Sequence, residues 1–338
     1  MLCSLVTAGP AGKTGLDCEA NLKDRGGAVL DLHRLRILRE LHRRGTITAV
    51  AQALSYSPSA VSQQLATLER ETGVKLLEPA GRRVRLTAQA DVLVAHAEVL
   101  LAEMERAESA LARSLQETAG TLRVAAFQTA VLTLVPSAIR RLQSAHPDLR
   151  IEVTELEPDT ALPALVVGDF DVVLDEEYPG HPLPLLAGVS RSDLFTDELL
   201  LAVPSPWAGR DLLDVAKRPF ALEPASTPAG QWALATCREA GFEPDVRYTS
   251  TDLQIHLRLV EQQLAVALIP QLADAQNRPG IALNPMRDHP NRTVFIAVRN
   301  GALDHPAVRA FTTALAQTHQ QLDSPPPAAA SEPDHRHR

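Results

Sequence analysis

Residues 46–87 read TITAVAQALSYSPSAVSQQLATLERETGVKLLEPAGRRVRLT, and the punctuation in this stretch decides the N-terminal fold. Ser57 followed by Pro58 is a strong helix start. The serine oxygen can accept from a free first-turn N–H, and proline gives up nothing at a position whose N–H has no helical partner. Val61, Leu65 and Leu68 then recur at helical spacing and form one apolar face, and Gly73 supplies the left-handed residue on which helices stop. Ahead of it, Thr48 is the expected N-cap of a short helix to Leu54, with Val50, Ala51 and Leu54 inward and SYS as the turn between. Behind it, VKLLEPAGRRVRLT divides into two β-prone pieces around Pro79–Ala80–Gly81, a hairpin or wing. Further upstream, Leu32, Leu35, Leu38 and Leu41 predict a helix that begins at Val29–Leu30 and ends at Gly45.

The face of the Ser57 helix opposite its apolar one carries Ser59, Ser62, Gln63 and Ala66. Small hydroxyl side chains let a helix approach a major groove, and a glutamine can pair with adenine through two bonds that contribute about 1–3 kcal/mol of discrimination. Free N–H groups at the helix start suit a backbone phosphate. Arg82, Arg83 and Arg85 of the hairpin suit further phosphates or a minor groove. A solvated polar face would account for the serines and the glutamine taken alone. It does not account for helix, short turn, capped helix and arginine-rich hairpin occurring together.

The net charge of −8 over 338 residues argues against a nucleic-acid partner until it is divided along the chain. From Asp31 to Ala90 there are ten Lys/Arg against five Asp/Glu, and from Asp91 onward twenty against thirty-three. A small basic module joined to an acidic remainder is the asymmetry of a double-stranded DNA reader with a separate sensing domain. An architectural DNA binder, the rival reading, would be basic throughout and would have no use for a sensing domain of this size.

From Thr87 a long helix is expected, in which Ala90, Leu93, Ala97, Leu100, Met104, Ala107 and Leu111 alternate spacings of three and four. That is a heptad seam, and it predicts pairing with a second copy of the chain. After Gly120 the pattern becomes LRVAAF, a helix, LRIEVTELE, a helix, DVVLD and ELLLAVP, then FALEP, a helix, DVRYTS, a helix, AVALIP, RTVFIAVR and a closing helix. Such alternation predicts a mostly parallel α/β domain, and its two similar halves predict two lobes with a cleft. The chain is therefore multidomain: a mainly α winged helix-turn-helix over 29–86, a linker helix over 87–119 and a two-lobed α/β domain over 120–322. Lobe I takes 120–197 and 285–322, and lobe II takes 198–284. Residues 1–28 and 323–338 have no hydrophobic period and read as disordered extensions, the first explained by a start codon placed upstream of the native one.

No apolar run reaches the length of a membrane span, and residues 1–28 lack the apolar core and cleavage site of a signal peptide, so the cytoplasm is the expected location. Cys3, Cys18 and Cys237 are odd in number and have no C-x-x-C spacing, so neither disulfides nor zinc are expected. G-x-G-x-x-G after a strand, a P-loop, G-x-S-x-G and H-E-x-x-H are all missing, and the histidines at 146, 181, 256, 289 and 305 are scattered. No catalytic residue, metal or cofactor is expected, and the chain does not read as an enzyme.

The N-terminal segment closely resembles that of the LysR-type transcriptional regulators. The resemblance rests on the start at Thr48, SAVSQQL at 59–65, LE at 68–69, TGVKLLE at 72–78 and GRRVRLT at 81–87, and it extends more loosely over 30–320. It implies a homodimer through the linker helix, often paired into a tetramer. It also implies a periplasmic-binding-protein-like effector domain and promoter binding switched by a small molecule. Family DNA contacts carry over to Ser57, Pro58, Ser59, Ser62 and Gln63 on the reading helix and to Arg82 and Arg83 on the wing. Many members have arginine where this chain has Gln63, which moves the expected base from guanine towards adenine.

In two-lobed folds the ligand sits between the lobes, at strand ends and helix starts. The loops 128–130, 223–227 and 249–252 occupy such places, so Gln128, Thr129, Thr227 and Thr251 are the expected effector contacts, Thr129 foremost. The acidic loops Glu157–Asp159 and Asp175–Glu177 are expected to face the same cleft. A carboxylate held at one end and an amine at the other would fit a zwitterion such as an amino acid.

Overall fold

The computed structural model describes residues 30–54, 56–80, 83–115, 118–273 and 278–322, without the side chains of Arg83 and Pro158. The expected extensions 1–28 and 323–338, as well as Arg82, lie outside these residues. The chain divides into two compact units at Leu100/Leu101.

The N-terminal unit contains α1 (Leu32–Arg44), α2 (Ile47–Ala53), α3 (Pro58–Thr72), the hairpin β1 (Leu77–Ala80) and β2 (Arg83–Leu86), and the first half of α4 (Ala88–Ser114). Helix α1 begins two residues later than its apolar period suggests, because Asp31 caps it by accepting from the His33 and Arg34 amides. The cap of α2 is Thr46 rather than Thr48. Gly45 closes α1 in the left-handed region at φ 71°, which leaves Thr46 extended with its hydroxyl on the Ala49 amide at 3.2 Å. Ser57 caps α3 as its sequence implies, accepting from the Ala60 amide at 3.1 Å, and Gly73 closes it at φ 69°.

Leu35, Ile37, Leu38, Leu41, Val50, Ala51, Val61, Leu65, Leu68 and Leu76 form the core of this unit, and α4 adds Ala90, Val94 and Ala97 to it. The predicted heptad seam is thereby corrected: its first members, Ala90 and Ala97, are consumed by the unit's own core. The seam emerges only further along, where Leu100, Met104 and Leu111 are exposed together with Val99 and Leu115.

The C-terminal unit is built on β3 (Gly120–Ala126), β4 (Leu149–Glu155), β5 (Val172–Glu177), β6 (Val189–Pro204), β7 (Pro219–Leu222), β8 (Asp245–Thr249), β9 (Val266–Pro270), β10 (Ile281–Pro285) and β11 (Asn291–Arg299). Its helices are α5 (Gln128–Thr133), α6 (Val135–Ala145), α7 (Pro158–Val167), α8 (Pro228–Glu239), α9 (Leu253–Glu261) and α10 (Pro306–Leu322). The strands form one sheet in the order β4-β3-β5-β11-β6-β9-β7-β8, with β10 also on β6.

The sheet is mixed rather than mostly parallel. β3 pairs in parallel with β4 and β5, and β7 with β8 and β9, whereas β11 and β6 make antiparallel pairs. Strand β6 is the reason: Val189–Glu198 pairs with β11, and Leu199–Pro204 pairs with β9 and β10. One sixteen-residue strand thus serves both lobes, and β11 returns beside it with opposite sense. The front half of β6, which is largely exposed or half-buried, and the short β10 carry too little apolar periodicity to be read as strands. Each lobe has a core on both faces of its part of the sheet. Lobe I packs α5, α6 and α10 on one face and α7 on the other, and lobe II packs α8 on one face and α9 on the other.

Candidate functional site

On α3 the three buried residues Val61, Leu65 and Leu68 turn the opposite face outward. Ser57, Pro58, Ser59, Ser62 and Gln63 are all exposed there, over less than two helical turns. The hydroxyls are already oriented: Ser57 Oγ lies 2.9 Å from Ser59 Oγ, and Ser62 Oγ donates to the Pro58 carbonyl at 2.9 Å. Among the described residues the Gln63 amide meets no hydrogen-bond partner, so both its donor and its acceptor are free for a ligand.

The hairpin register sets Arg85 opposite Glu78, and the two form an ion pair. Arg82 and the Arg83 side chain lie outside the described residues. Several cations counted in the basic module are also committed within it. Arg34 binds Glu71 through two bonds, Arg39 and Arg44 bind the buried Glu40, and Arg43 reaches Glu98 at 3.1 Å. Free positive charge is therefore smaller than composition suggests.

In the C-terminal unit the hinge strands meet at Arg292, which is almost fully buried. Its Nη2 lies 2.7 Å from Asp197 and donates to Thr129 Oγ1 at 2.8 Å, while Nη1 pairs with Glu176. Burial alone would favour loss of the guanidinium proton, but Glu176 and Asp197 outweigh it and hold the group firmly charged. Burial also pushes the carboxyls of Glu176 and Asp197 up, an effect that Arg292 opposes. Beside this network Glu223 is pushed up to about 8 by burial and then by Glu176, and Asp175 to about 8 by burial.

Thr129 is therefore a buried member of the hinge network. Gln128 is a bridge between lobes: its Nε2 donates to Asp252 Oδ1 at 2.9 Å, and its Oε1 accepts from the Leu253 amide at 3.0 Å. Thr227 caps α8, accepting from the Gly230 amide and donating to Glu223. Thr251 is exposed beside Asp252.

A cavity of about 350 Å³ opens between α7, residues 183–186 and the start of α8, lined by Glu157, Asp159, Leu162, Leu183, Leu186 and Thr227 together with prolines and Ser226. Of the four expected effector contacts, Thr227 lines it, whereas Gln128, Thr129 and Thr251 are not among its walls. Of the two acidic stretches, Glu157 and Asp159 stand in the wall, whereas Asp175–Glu177 is not a loop but the end of β5, and none of its residues lines the cavity. What the sequence does not disclose is Arg292, since nothing local marks an arginine in an apolar strand as the centre of a buried network.

Comparison with known proteins agrees with this arrangement. Residues 32–91 match the model of the bacterial regulatory helix-turn-helix proteins of the lysR family, and residues 115–320 match the LysR substrate binding domain. The chain is 28% identical over 289 residues to the DNA-binding transcriptional dual regulator OxyR of Escherichia coli, covering 81% of this chain and 90% of that one. It is 25% identical over 274 residues to the transcriptional dual regulator GltC of Bacillus subtilis, covering 79% and 90%. Its fold is shared with a full-length OxyR variant from Pseudomonas aeruginosa, at a TM-score of 0.56, 23% identity and coverage of 85% and 94%. A capped helix with its wing, followed by a two-lobed α/β unit and matched over 32–91 and 115–320 by the models for both parts, makes this chain a member of the LysR family, a DNA-binding transcriptional regulator with an effector-binding domain.

Proposed function

We propose that the chain binds promoter DNA by laying the start of α3 in a major groove, with Ser57, Pro58, Ser59, Ser62 and Gln63 as contacts and Arg82 and Arg83 holding phosphates. The observation that carries this reading is the unpartnered Gln63 amide on an exposed, serine-lined helix start. Two copies joined through Leu100, Met104 and Leu111 of α4 set two reading helices on a partly symmetric site. As a chromosomal regulator the protein works in the cytoplasm. It acts as a switch and not as an enzyme.

A small molecule in the cavity beside Thr227 shifts the arrangement of the two lobes, and with it the spacing or bend at the DNA. Such a ligand acts only through a difference in its affinity for the two arrangements. Gln128 joins the two lobes through Asp252 and Leu253 and so is placed to register that shift. A thiol switch is disfavoured among the described residues, because Cys237 is buried with its thiol pushed up to about 12, and a thiol held protonated is a poor nucleophile.

Genome-wide occupancy of the tagged protein tests the DNA reading: sharp peaks at a few promoters are expected, and diffuse coverage would favour an architectural role. The cavity is tested by Leu162→Trp, which fills it. That variant is expected to leave promoter occupancy in place while making a reporter at the occupied promoter unresponsive to growth conditions. An unchanged response would remove the cavity from the mechanism.

A further inference from the structure

We propose that the effector is an organic cation, a primary amine or guanidine carrying an apolar tail, held by carboxylates in the cavity beside Glu157. This rests on the cavity being the effector site and adds the chemical class of its ligand.

The lining is the first argument. Leu162, Leu183, Leu186 and the prolines 163, 184 and 228 make most of the wall apolar, and its charged groups are the carboxylates of Glu157 and Asp159. No Lys, Arg or His is among the described residues that line it. The nearby cations are committed elsewhere. Arg191 is paired with Glu177 at 2.6 Å and Asp193 at 2.8 Å, and Arg292 with Glu176 and Asp197.

Glu157 is not explained by the helix it introduces. It is the N-cap of α7, yet its side chain makes no capping bond. Burial on its protein side, followed by the charges of Asp159 and Glu155, holds its carboxyl above the usual range even though it reaches water. Among the described residues no cation pairs with this carboxylate.

Asp175 supplies an independent sign. It is 1% exposed, and among the described residues its Oδ2 has no hydrogen-bond partner. Along β5 it lies two residues from Val173, and its partner in β11 is Phe295. Residues two apart share a face of a strand, and Val173 and Phe295 pack in the layer that holds Leu162, Leu183 and Leu186. Asp175 thus lies under the apolar layer that lines the cavity, and its Oδ2 is a buried polar atom left without the partner such atoms normally have.

Helix starts argue the other way and lose. Both α7 and α8 begin at the cavity, and a helix start favours an anion with roughly half an elementary charge. Each begins with a proline, which has no N–H to offer, and the Gly230 amide is already taken by Thr227. The two carboxylates in the wall, Glu157 and Asp159, outweigh two half-charges with few free donors. A metal ion is not the occupant these groups suit, since no three His, Cys, Asp or Glu among the described residues converge on one point.

Binding to the full-length protein at neutral pH would test this with matched probes: phenethylamine, isoamylamine and agmatine against 3-phenylpropanoate, 4-methylpentanoate and 3-phenylpropanamide. At least one of the amines or the guanidine is expected to raise Tm and to bind about tenfold or more tighter than its carboxylate and amide counterparts. Glu157→Gln, at a surface position where folding is not at risk, should cut that affinity about tenfold without lowering Tm in the absence of ligand. Leu162→Trp should abolish it. Equal or tighter binding of the carboxylates, indifference to Glu157→Gln, no binding by any of the cations, or stabilisation by Ca²⁺ alone would each overturn the cation assignment. If a carboxylate or amide binds and Leu162→Trp abolishes it, the cavity remains the effector site with a different ligand class. If Leu162→Trp leaves both ligand binding and the reporter response intact, the cavity itself is wrong.

Discussion

The two candidate sites of this protein are built on opposite plans. The reading face of α3 lies within Ser57 to Gln63, where Ser57, Pro58, Ser59, Ser62 and Gln63 are exposed because Val61 of the same stretch turns inward. The hinge network of the C-terminal unit joins Thr129 and Arg292, 163 residues apart, and Arg292 and Glu176, 116 apart. A contact surface for a rigid external partner can be made from one element. A cleft that must change shape has to be assembled from strands that cross between lobes. The first plan puts function at the surface, where a substitution alters binding. The second buries charge, where a substitution alters stability.

That difference can be broken most forcefully at Arg292. Arg292→Met strands two buried carboxylates, and loss of one partner from such a group costs about 3–5 kcal/mol. Thermal unfolding should show a large fall in Tm, and a change within error would mean the network adds nothing to the fold. At the surface site the effect should lie in binding alone. Gln63→Ala should weaken operator binding by about 1–3 kcal/mol and relax the preference at one base, with Tm untouched. Equal losses on operator and random DNA would remove Gln63 from base reading.

The buried acids give a third contrast. Asp175 and Glu223 titrate near 8 in the fold and at ordinary carboxyl values when unfolded, so the native state binds the extra protons. Their contribution is fully present below about pH 4 and is lost as the pH rises to about 8, at no more than about 1.4 kcal/mol per pH unit for each group. Tm should drift downward across that window, and Asp175→Asn should flatten the drift. A slope the same in wild type and variant would count against it. Smallest is the helix cap: Ser57→Ala frees the Ala60 amide and should cost about 1 kcal/mol in stability, seen as a modest drop in Tm with the fold retained. A drop as large as that at Arg292 would mean the two plans are not distinct.

How far each plan was legible follows from the range of its interactions. Ser57, Pro58 and Gly73 act on the backbone next to them, so the bounds of α3 can be read from the residues themselves. Thr46 and Thr48 could not be separated in the same way, because either hydroxyl can cap and the choice depends on where Gly45 leaves the chain. The seam of α4 has the same ambiguity. An alanine at heptad spacing serves a partner helix or its own core equally well, and packing gave Ala90 and Ala97 to the core.

In the effector unit, strand–helix alternation was visible and pairing sense was not. Parallel βαβ units announce themselves by their helices, while the antiparallel passage of β6 and β11 between lobes leaves no such mark. Thr129 stood out as a hydroxyl after a strand, a pattern equally fitting for a ligand contact and for an internal acceptor of Arg292.

The amino-acid sequence by itself determined the order of the parts, the reading helix with its exposed face, and the basic and acidic halves, since each depends on residues a few positions apart or on composition. Tertiary structure alone decided that Arg292 is enclosed by Asp197, Glu176 and Thr129, that Asp175 keeps an unpartnered oxygen, and that Glu157 stands in the wall of an apolar cavity. The physical reason is burial: a charge declares its role only once it is known which charges share its low-dielectric surroundings, and that depends on strands distant in the chain lying side by side.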